Sequence, residues 1–363
     1  MLPYMDLFSP VALGDLQLSN RLVMAPLTRM RSGSEGVPGP LVAEHYAQRA
    51  SLGLIVTEGT YLNGESQGFV GQPGIVTDAQ QEGWRAVAEA VHAGGGKIVM
   101  QVMHAGRVTH PETTGGDRIV GPSAIAIQGE THTPTGKQPY PVPHALTTEE
   151  VAGVVADFVA ASRRAVDAGL DGVEIHSANG YLLHEFLAPS SNHRDDQYGG
   201  SPENRARLVV EIATAVAAEI GAGRVGVRIS PEHNIQDALE TDPADVEATY
   251  SALVEGLRPL GLAYLSVLHA DPSGGLVQGL RKQFEGHLMV NSGFGVVTSR
   301  QDALDLVAEG TADSVAVGRM AIANPDLVRR WQEDLPENEP NPATFYADGA
   351  EGYTDYPFVD APA

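Results

Sequence analysis

The thirty residues HSANGYLLHEFLAPSSNHRDDQYGGSPENR (176–205) hold the densest chemistry in the chain. His176, Asn179 and Tyr181 stand within six residues, directly after the apolar run DGVEIH (171–176). A His and an Asn side chain can together donate two hydrogen bonds to one carbonyl or nitro oxygen. A Tyr, with an ordinary pKa near 10, can act as a general acid toward a carbanion-like carbon. A lone His is more often structural than catalytic, but three complementary polar groups after one run weigh toward function. The HxxN spacing is not a metal motif by itself. No third ligand stands at helical or strand spacing, so no metal is assigned.

A second group of residues suits an anion. NSGFG (291–295) and VGRMAIANPDL (317–327) are two glycine-containing turns, the second carrying Arg319. Gly293, Gly295 and Gly318 let backbone N–H groups approach a phosphate, and Arg319 adds charge. Glycines needed only for tight turns are the alternative. No GxGxxG follows a strand. Gly94, Gly95 and Gly96 precede one and read as a helix C-cap and turn.

Elements must bring these groups together. Eight short apolar or β-branched runs recur at 21–27, 53–59, 97–103, 171–176, 224–230, 262–268, 287–293 and 313–319. Near-continuous apolar runs suit parallel strands buried on both faces. Amphipathic segments of helical length lie between them, at 78–93, 148–168, 204–220, 243–258, 299–309 and 325–334. Asp78 and Thr148 are candidate N-caps, and Asp242 with Pro243 makes an N-cap and N1 pair. Repeated βα units predict an α/β fold, a closed (β/α)8 TIM barrel. The third strand and the helix at 148 are separated by about 45 residues rich in Gly, Pro, Thr and His, which is long for a connection in a compact fold. Residues 103–147 are therefore read as a capping insertion over the barrel mouth, within one domain spanning 1–363.

Such a barrel places its site at the C-terminal ends of its strands. The polar residues there are Thr28, Glu58, Gln101, His104, His176, Arg228, Ser266, Asn291 and Arg319. Hydrogen-bonding and cationic groups at several strand ends suit a ligand with many polar atoms. The turns after strands seven and eight fall where this fold recurrently binds phosphate.

Composition narrows the classes. The 363 residues carry a formal charge of -23 and 6% aromatics, which argues against nucleic acid as a partner. With no cysteine, disulfides, thiolate metal sites and iron–sulfur clusters are excluded. The N-terminal MLPYMDLFSPVALGDL has neither a basic n-region nor a long apolar core. No stretch approaches the ~18 apolar residues of a membrane span. A cytoplasmic protein off the membrane, monomeric or homodimeric, acting on small molecules, is the expectation.

The motifs also carry a resemblance. NRLVMAPLTRMRS (20–32), VTEGT (56–60), QVMHAGR (101–107), the block at 176–205, VGVRISP (225–231) and TFYADGAEGYTDYP (344–357) resemble the Old Yellow Enzyme family, in order and over nearly the whole chain. The resemblance is to its classical branch, since Thr28 stands where the thermophilic-like branch usually carries Cys. It implies a tightly bound, non-covalent FMN reduced by NAD(P)H. Thr28 would hydrogen-bond flavin O4. Pro26, Leu27 and Gly59 would lie against the ring. Gln101 would meet the pyrimidine edge, and Arg228 would sit near N1 and O2. Gly293, Phe294, Gly318 and Arg319 would hold the phosphate.

On the substrate side, the resemblance implies that His176 and Asn179 bind the electron-withdrawing oxygen, Tyr181 delivers a proton and Tyr346 lines the pocket. The reaction implied is a ping-pong reduction of the activated C=C of α,β-unsaturated carbonyl or nitro compounds, with hydride from flavin N5 and a proton from Tyr181. One departure stands out. Classical members often carry Trp two residues after the flavin-contacting Gln, whereas this chain has Met103, which predicts a roomier pocket. A non-redox barrel acting on a phosphorylated metabolite would share the phosphate turns, but it would not need Thr28, Gln101 and Arg228 together. A dienoyl-CoA reductase-like flavoenzyme would need cysteines. A catalytically inactive ligand-binding protein would not need Tyr181.

Overall fold

The computed structural model describes residues 6–360. Residues 1–5 of the N-terminal stretch read for a targeting signal, and residues 361–363 of the predicted domain, lie outside the described residues. The eight predicted runs form eight parallel strands: β1 (Leu22–Met24), β2 (Leu54–Val56), β3 (Ile98–Met103), β4 (Gly172–Ser177), β5 (Val225–Ile229), β6 (Tyr264–Leu268), β7 (Leu288–Asn291) and β8 (Ser314–Val317). Each pairs with the next, and β8 returns to β1 through Val315 opposite Leu22 and Val317 opposite Met24. The sheet is therefore a closed barrel. Most strands are shorter than the sequence runs, whereas β4 reaches one residue past its run, to Ser177.

Among the described residues, ten α-helices accompany the strands: α1 (Pro40–Ala47), α2 (Asp78–Ala93), α3 (Thr148–Asp167), α4 (Leu182–Leu187), α5 (Pro202–Ile220), α6 (Pro243–Leu257), α7 (Gly275–Phe284), α8 (Arg300–Ala308), α9 (Arg319–Ala323) and α10 (Leu327–Gln332). Alternation along the strands makes two cores. Ile98, Met100 and Val102 of β3 face outward onto the helices, in a layer with Trp84, Phe158 and Tyr250. Val23, Leu54, Val56, Val99, Tyr264, Met289 and Ala316 fill the interior. Gly226 is required there, since a Cβ would lie 2.2 Å from the Tyr264 ring. An N-terminal hairpin, Val11–Leu13 with Leu16–Leu18, adds Leu13, Leu16 and Leu18 to this interior core.

Two cap assignments are corrected. The N-caps of α2 and α3 are Thr77 and Thr147, not Asp78 and Thr148. Each threonine accepts from the backbone N–H three residues on, Gln80 or Glu150, whose side chain reaches back to it. That reciprocal pair satisfies two otherwise orphaned donors, which one residue further along could not do. Asp242 caps α6 with Pro243 at N1 as expected. The insertion after β3 has structure of its own. A hairpin pairs Glu130–Thr133 with Gly136–Pro139, and a short parallel pairing of Val120–Gly121 with His144–Ala145 closes its base. No helix among the described residues is long and apolar enough to cross a membrane.

Candidate functional site

The end of β4 is built by its turn. Asn179 and Gly180 both take left-handed φ, +60° and +80°. Asn tolerates this region better than most residues, and Gly180 must be glycine, since a Cβ would lie 2.8 Å from the Ile235 carbonyl. Three bonds fix the turn. The Asn179 N–H donates to Ser230 Oγ (2.8 Å), Gln236 Nε2 donates to the Asn179 carbonyl (3.0 Å), and the Gly180 N–H donates to His184 Nδ1 (2.8 Å). His184 is itself held 3.2 Å from Glu240 by its other nitrogen. Tyr181 then turns back against His176, ring centroids 5.1 Å apart and edge-on.

His176, Asn179 and Tyr181 thus converge, all three buried. His176 Nδ1 and Asn179 Oδ1 have no partner among the described residues. Buried polar atoms ordinarily find one, so these two have hydrogen-bonding capacity to spare. Burial first, then the Arg228 and His184 charges, holds the His176 imidazole well below its ordinary pKa. It is therefore neutral at pH 7 and donates through a single N–H. Burial pushes the Tyr181 phenol above its ordinary value. Its proton stays on Oη at neutral pH.

The neighbouring strand ends complete the floor. Gln101 stands opposite Glu174 across β3 and β4, and Arg228 stands opposite His176 across β4 and β5. Gln101 donates to Glu174 Oε1 (2.8 Å), and Arg228 donates to Ser266 Oγ (3.2 Å), leaving Arg228 Nε unpartnered. Pro26, Leu27 and Thr28 follow β1, half-buried. Their position is set by Glu58, whose carboxylate accepts from the Arg29 and Met30 N–H groups at 2.9 and 3.1 Å. Gly59 leaves the surface bare, since a Cβ there would lie 2.6 Å from Met103 Sδ.

The two turns after β7 and β8 also meet. Arg319 donates to the Phe294 carbonyl, and the Gly293 N–H to Asn291 Oδ1 at 3.3 Å. A Cβ on Gly318 would lie 3.5 Å from Leu27, which joins this end to the loop after β1. Phe294 and Tyr346 are exposed, at 49% and 65%. Tyr346 rides on a C-terminal segment strapped to the loop after β1. Arg29 donates to the Phe345 and Gly352 carbonyls, Arg31 to those of Thr344 and Gly349, and both guanidinium groups lie over the Tyr353 ring.

The remaining polar strand-end residue is structural. His104 accepts from the Gly106 N–H, and burial pushes its pKa down to about 3. Several contributors lay outside the sequence reading: Glu174, Ser230, Gln236, and the apolar wall of Phe69, Ile127 and Tyr140 packed with Met103 and Tyr181. The capping insertion supplies Ile127 and Tyr140. No group of three or more His, Asp or Glu positioned for a metal ion occurs among the described residues. The unpartnered Arg228 Nε, the bare Gly59 and the paired glycine turns fit a flat polar ring with an anionic tail.

Known proteins resemble this chain over nearly its whole length. The NADH:flavin oxidoreductase / NADH oxidase family matches residues 6–338. A probable flavin mononucleotide-dependent alkene reductase of Leishmania infantum is 43% identical, over 97% of each chain. The 12-oxophytodienoate reductase 1 of Oryza sativa subsp. japonica is 40% identical, covering 98% of this chain and 93% of its own. Morphinone reductase, solved in complex with tetrahydroNAD, superposes with a TM-score of 0.91 at 42% identity, over 98% of both chains. The chain belongs to the NADH:flavin oxidoreductase / NADH oxidase family, that of the Old Yellow Enzymes, and is an FMN-dependent oxidoreductase of the NAD(P)H-dependent ene-reductase class.

Proposed function

We propose that this enzyme reduces the activated C=C of α,β-unsaturated aldehydes and ketones, nitroalkenes and maleimides, the whole chain working as one FMN-binding barrel with residues 103–147 as its cap. The observation that carries the reading is the convergence of His176, Asn179 and Tyr181, with His176 Nδ1 and Asn179 Oδ1 unpartnered, over a floor of Thr28, Gln101 and Arg228. In the proposed assignment, Pro26, Leu27 and Gly59 face the ring, Thr28, Gln101 and Arg228 its polar edges, and Gly293, Phe294, Gly318 and Arg319 its phosphate. Bound FMN supplies hydride to the substrate's β-carbon.

The protein's part is polarisation and proton delivery. His176 through its N–H and Asn179 through Nδ2–H donate to the carbonyl or nitro oxygen, where negative charge grows in the transition state, and stabilisation there is what accelerates the step. Tyr181 holds its proton until the α-carbon is basic enough to take it. Met103 and Tyr346 bound the space above.

An anaerobic titration tests this. NADPH should bleach the flavin bands of the purified protein, and 2-cyclohexenone should restore them. Bleaching without recovery would retain the flavoenzyme and reject the enone class. A colourless protein that takes up no added FMN would remove the reading altogether.

A further inference from the structure

The barrel floor holds a carboxyl that the proposed reaction does not use. Glu174 lies mid-strand in β4 and is fully buried, in an interior that a barrel of this kind ordinarily fills with Val, Ile and Leu. Burying a carboxyl is costly unless it is partnered. Glu174 has one hydrogen bond, from Gln101 Nε2 at 2.8 Å, and its Oε2 has no partner. On the other flank, Arg228 acts on it through charge, opposing the upward push of burial on its pKa.

The bond to Gln101 has a consequence for the amide's other end. A carboxamide has one donor end and one acceptor end, whereas a carboxylate only accepts. Glu174 therefore draws Nε2 down and leaves Oε1 free. That oxygen lies 3.4 Å from the point where a Gly59 Cβ would stand, toward the bare surface assigned to the flavin. The pyrimidine edge of a flavin presents one N–H donor, N3–H, between two carbonyl acceptors. An amide oxygen complements N3–H; an amide nitrogen would oppose it, donor to donor. The unpartnered Arg228 Nε–H complements a carbonyl.

We infer that Glu174 is a positioning residue for the cofactor: it fixes the Gln101 amide with its oxygen toward flavin N3–H, and its charge sets how much of the Arg228 charge the flavin feels. This rests on the proposed placement of Gln101 and Arg228 at the pyrimidine edge. The two effects separate in two variants. Glu174→Gln keeps the volume but removes the charge and the one-way acceptor. Glu174→Asp keeps the charge but withdraws it from Gln101 by one methylene.

The test uses holoenzyme carrying FMN labelled with 15N at N3, read by NMR, with the flavin midpoint potential followed spectroelectrochemically. In the unaltered protein the N3 resonance should stand at its hydrogen-bonded position. Glu174→Gln should lose that position and shift the potential positive, because Arg228 is left without its counter-charge. Glu174→Asp should lose the N3 position and keep the potential. Unchanged N3 resonance and potential in Glu174→Gln, with only the melting temperature lowered, would make Glu174 a structural group and overturn the inference. An unbonded N3 in the unaltered holoenzyme overturns it too. If either variant fails to fold, Gln101→Leu carries the test: N3 must move to the unbonded position, and if it does not, Gln101 is not its acceptor and the inference falls. A protein that binds no FMN would instead defeat the cofactor reading, a separate outcome.

Discussion

Replacing Tyr181 by Phe removes one oxygen and little packing, since the ring is held edge-on by His176 at 5.1 Å and Phe69 at 6.4 Å. FMN reduction by NADPH should stay within about twofold. Reoxidation by an enone should slow by roughly 10²–10⁴, the usual worth of a positioned general acid. Stopped-flow measurement of the two half-reactions separates these outcomes; equal slowing of both would remove Tyr181 from the proton step. Met103 makes a second case. Its thioether is buried, with Sδ 2.6 Å from the position of a Gly59 Cβ and Cε 3.5 Å from that of a Gly68 Cβ. Met103→Trp would therefore crowd Gly59 and Gly68 and project bulk over the ring. Relative rates for β-substituted and cyclic enones should fall against those for small acyclic ones, at a stability cost of about 1–3 kcal/mol for overpacking. Unchanged relative rates would refute the roomier-pocket reading.

Between the residues and the barrel stands the segment after β5. Glu232, Asn234, Gln236 and Asp237 all take positive φ, a conformation that non-glycine residues keep only where their surroundings impose it. The segment delivers Gln236 Nε2 to the Asn179 carbonyl, in the turn that leads into Tyr181. Gln236→Ala should loosen this turn, lowering kcat/KM for enones about tenfold while sparing flavin reduction by NADPH; an unaffected kcat/KM would show that the turn holds itself. Nothing in SPEHNIQDALE announced this geometry, because left-handed φ outside glycine has no compositional mark. The barrel strands were legible for the opposite reason. Burial on both faces leaves β3 as IVMQVM and β5 as VGVRI, runs that read as strands wherever they sit. The helices α1 and α7 were missed, as were the short α4 and α9. The first is eight residues long and weakly amphipathic, and the second opens on Gly275 with no side-chain cap. The capping boxes at Thr77 and Thr147 were present as T-x-x-Q and T-x-x-E and could have placed both helix starts one residue earlier. His176, Asn179 and Tyr181 were legible because they cluster along the chain. Ser230 and Gln236 were not, because only the closed barrel brings them to the others, and Glu174 was not, because it sits inside an apolar run and meets its partner Gln101 only across the neighbouring strand.

At the scale of the molecule, the cap is joined to the barrel over a buried carboxyl. Glu185 on α4 accepts the Arg107 N–H at 2.9 Å, and the Arg107 side chain spans to the Ile125 carbonyl in the cap and the Gln236 carbonyl after β5. Gly106 admits this approach, since a Cβ there would lie 2.3 Å from Glu185 Oε1. Burial pushes the Glu185 carboxyl up to about 8, against the opposing Arg107 charge and N–H. A carboxyl whose folded pKa lies above the ordinary 4.5 stays protonated in the fold while the unfolded chain ionises. Its stability contribution is therefore complete below pH 4.5 and is lost as pH rises through about 8. Glu185→Gln keeps an acceptor for the Arg107 N–H and cannot ionise. The formal charge of -23 acts on both proteins almost alike, so the difference between them isolates this one group. Urea unfolding at pH 5, 7 and 9 should show unaltered protein losing ground to the variant by more than about 1 kcal/mol across the series. A difference that does not move with pH would mean that Arg107 keeps Glu185 ionised throughout, and that the cap is docked on an ion pair rather than on a neutral acid.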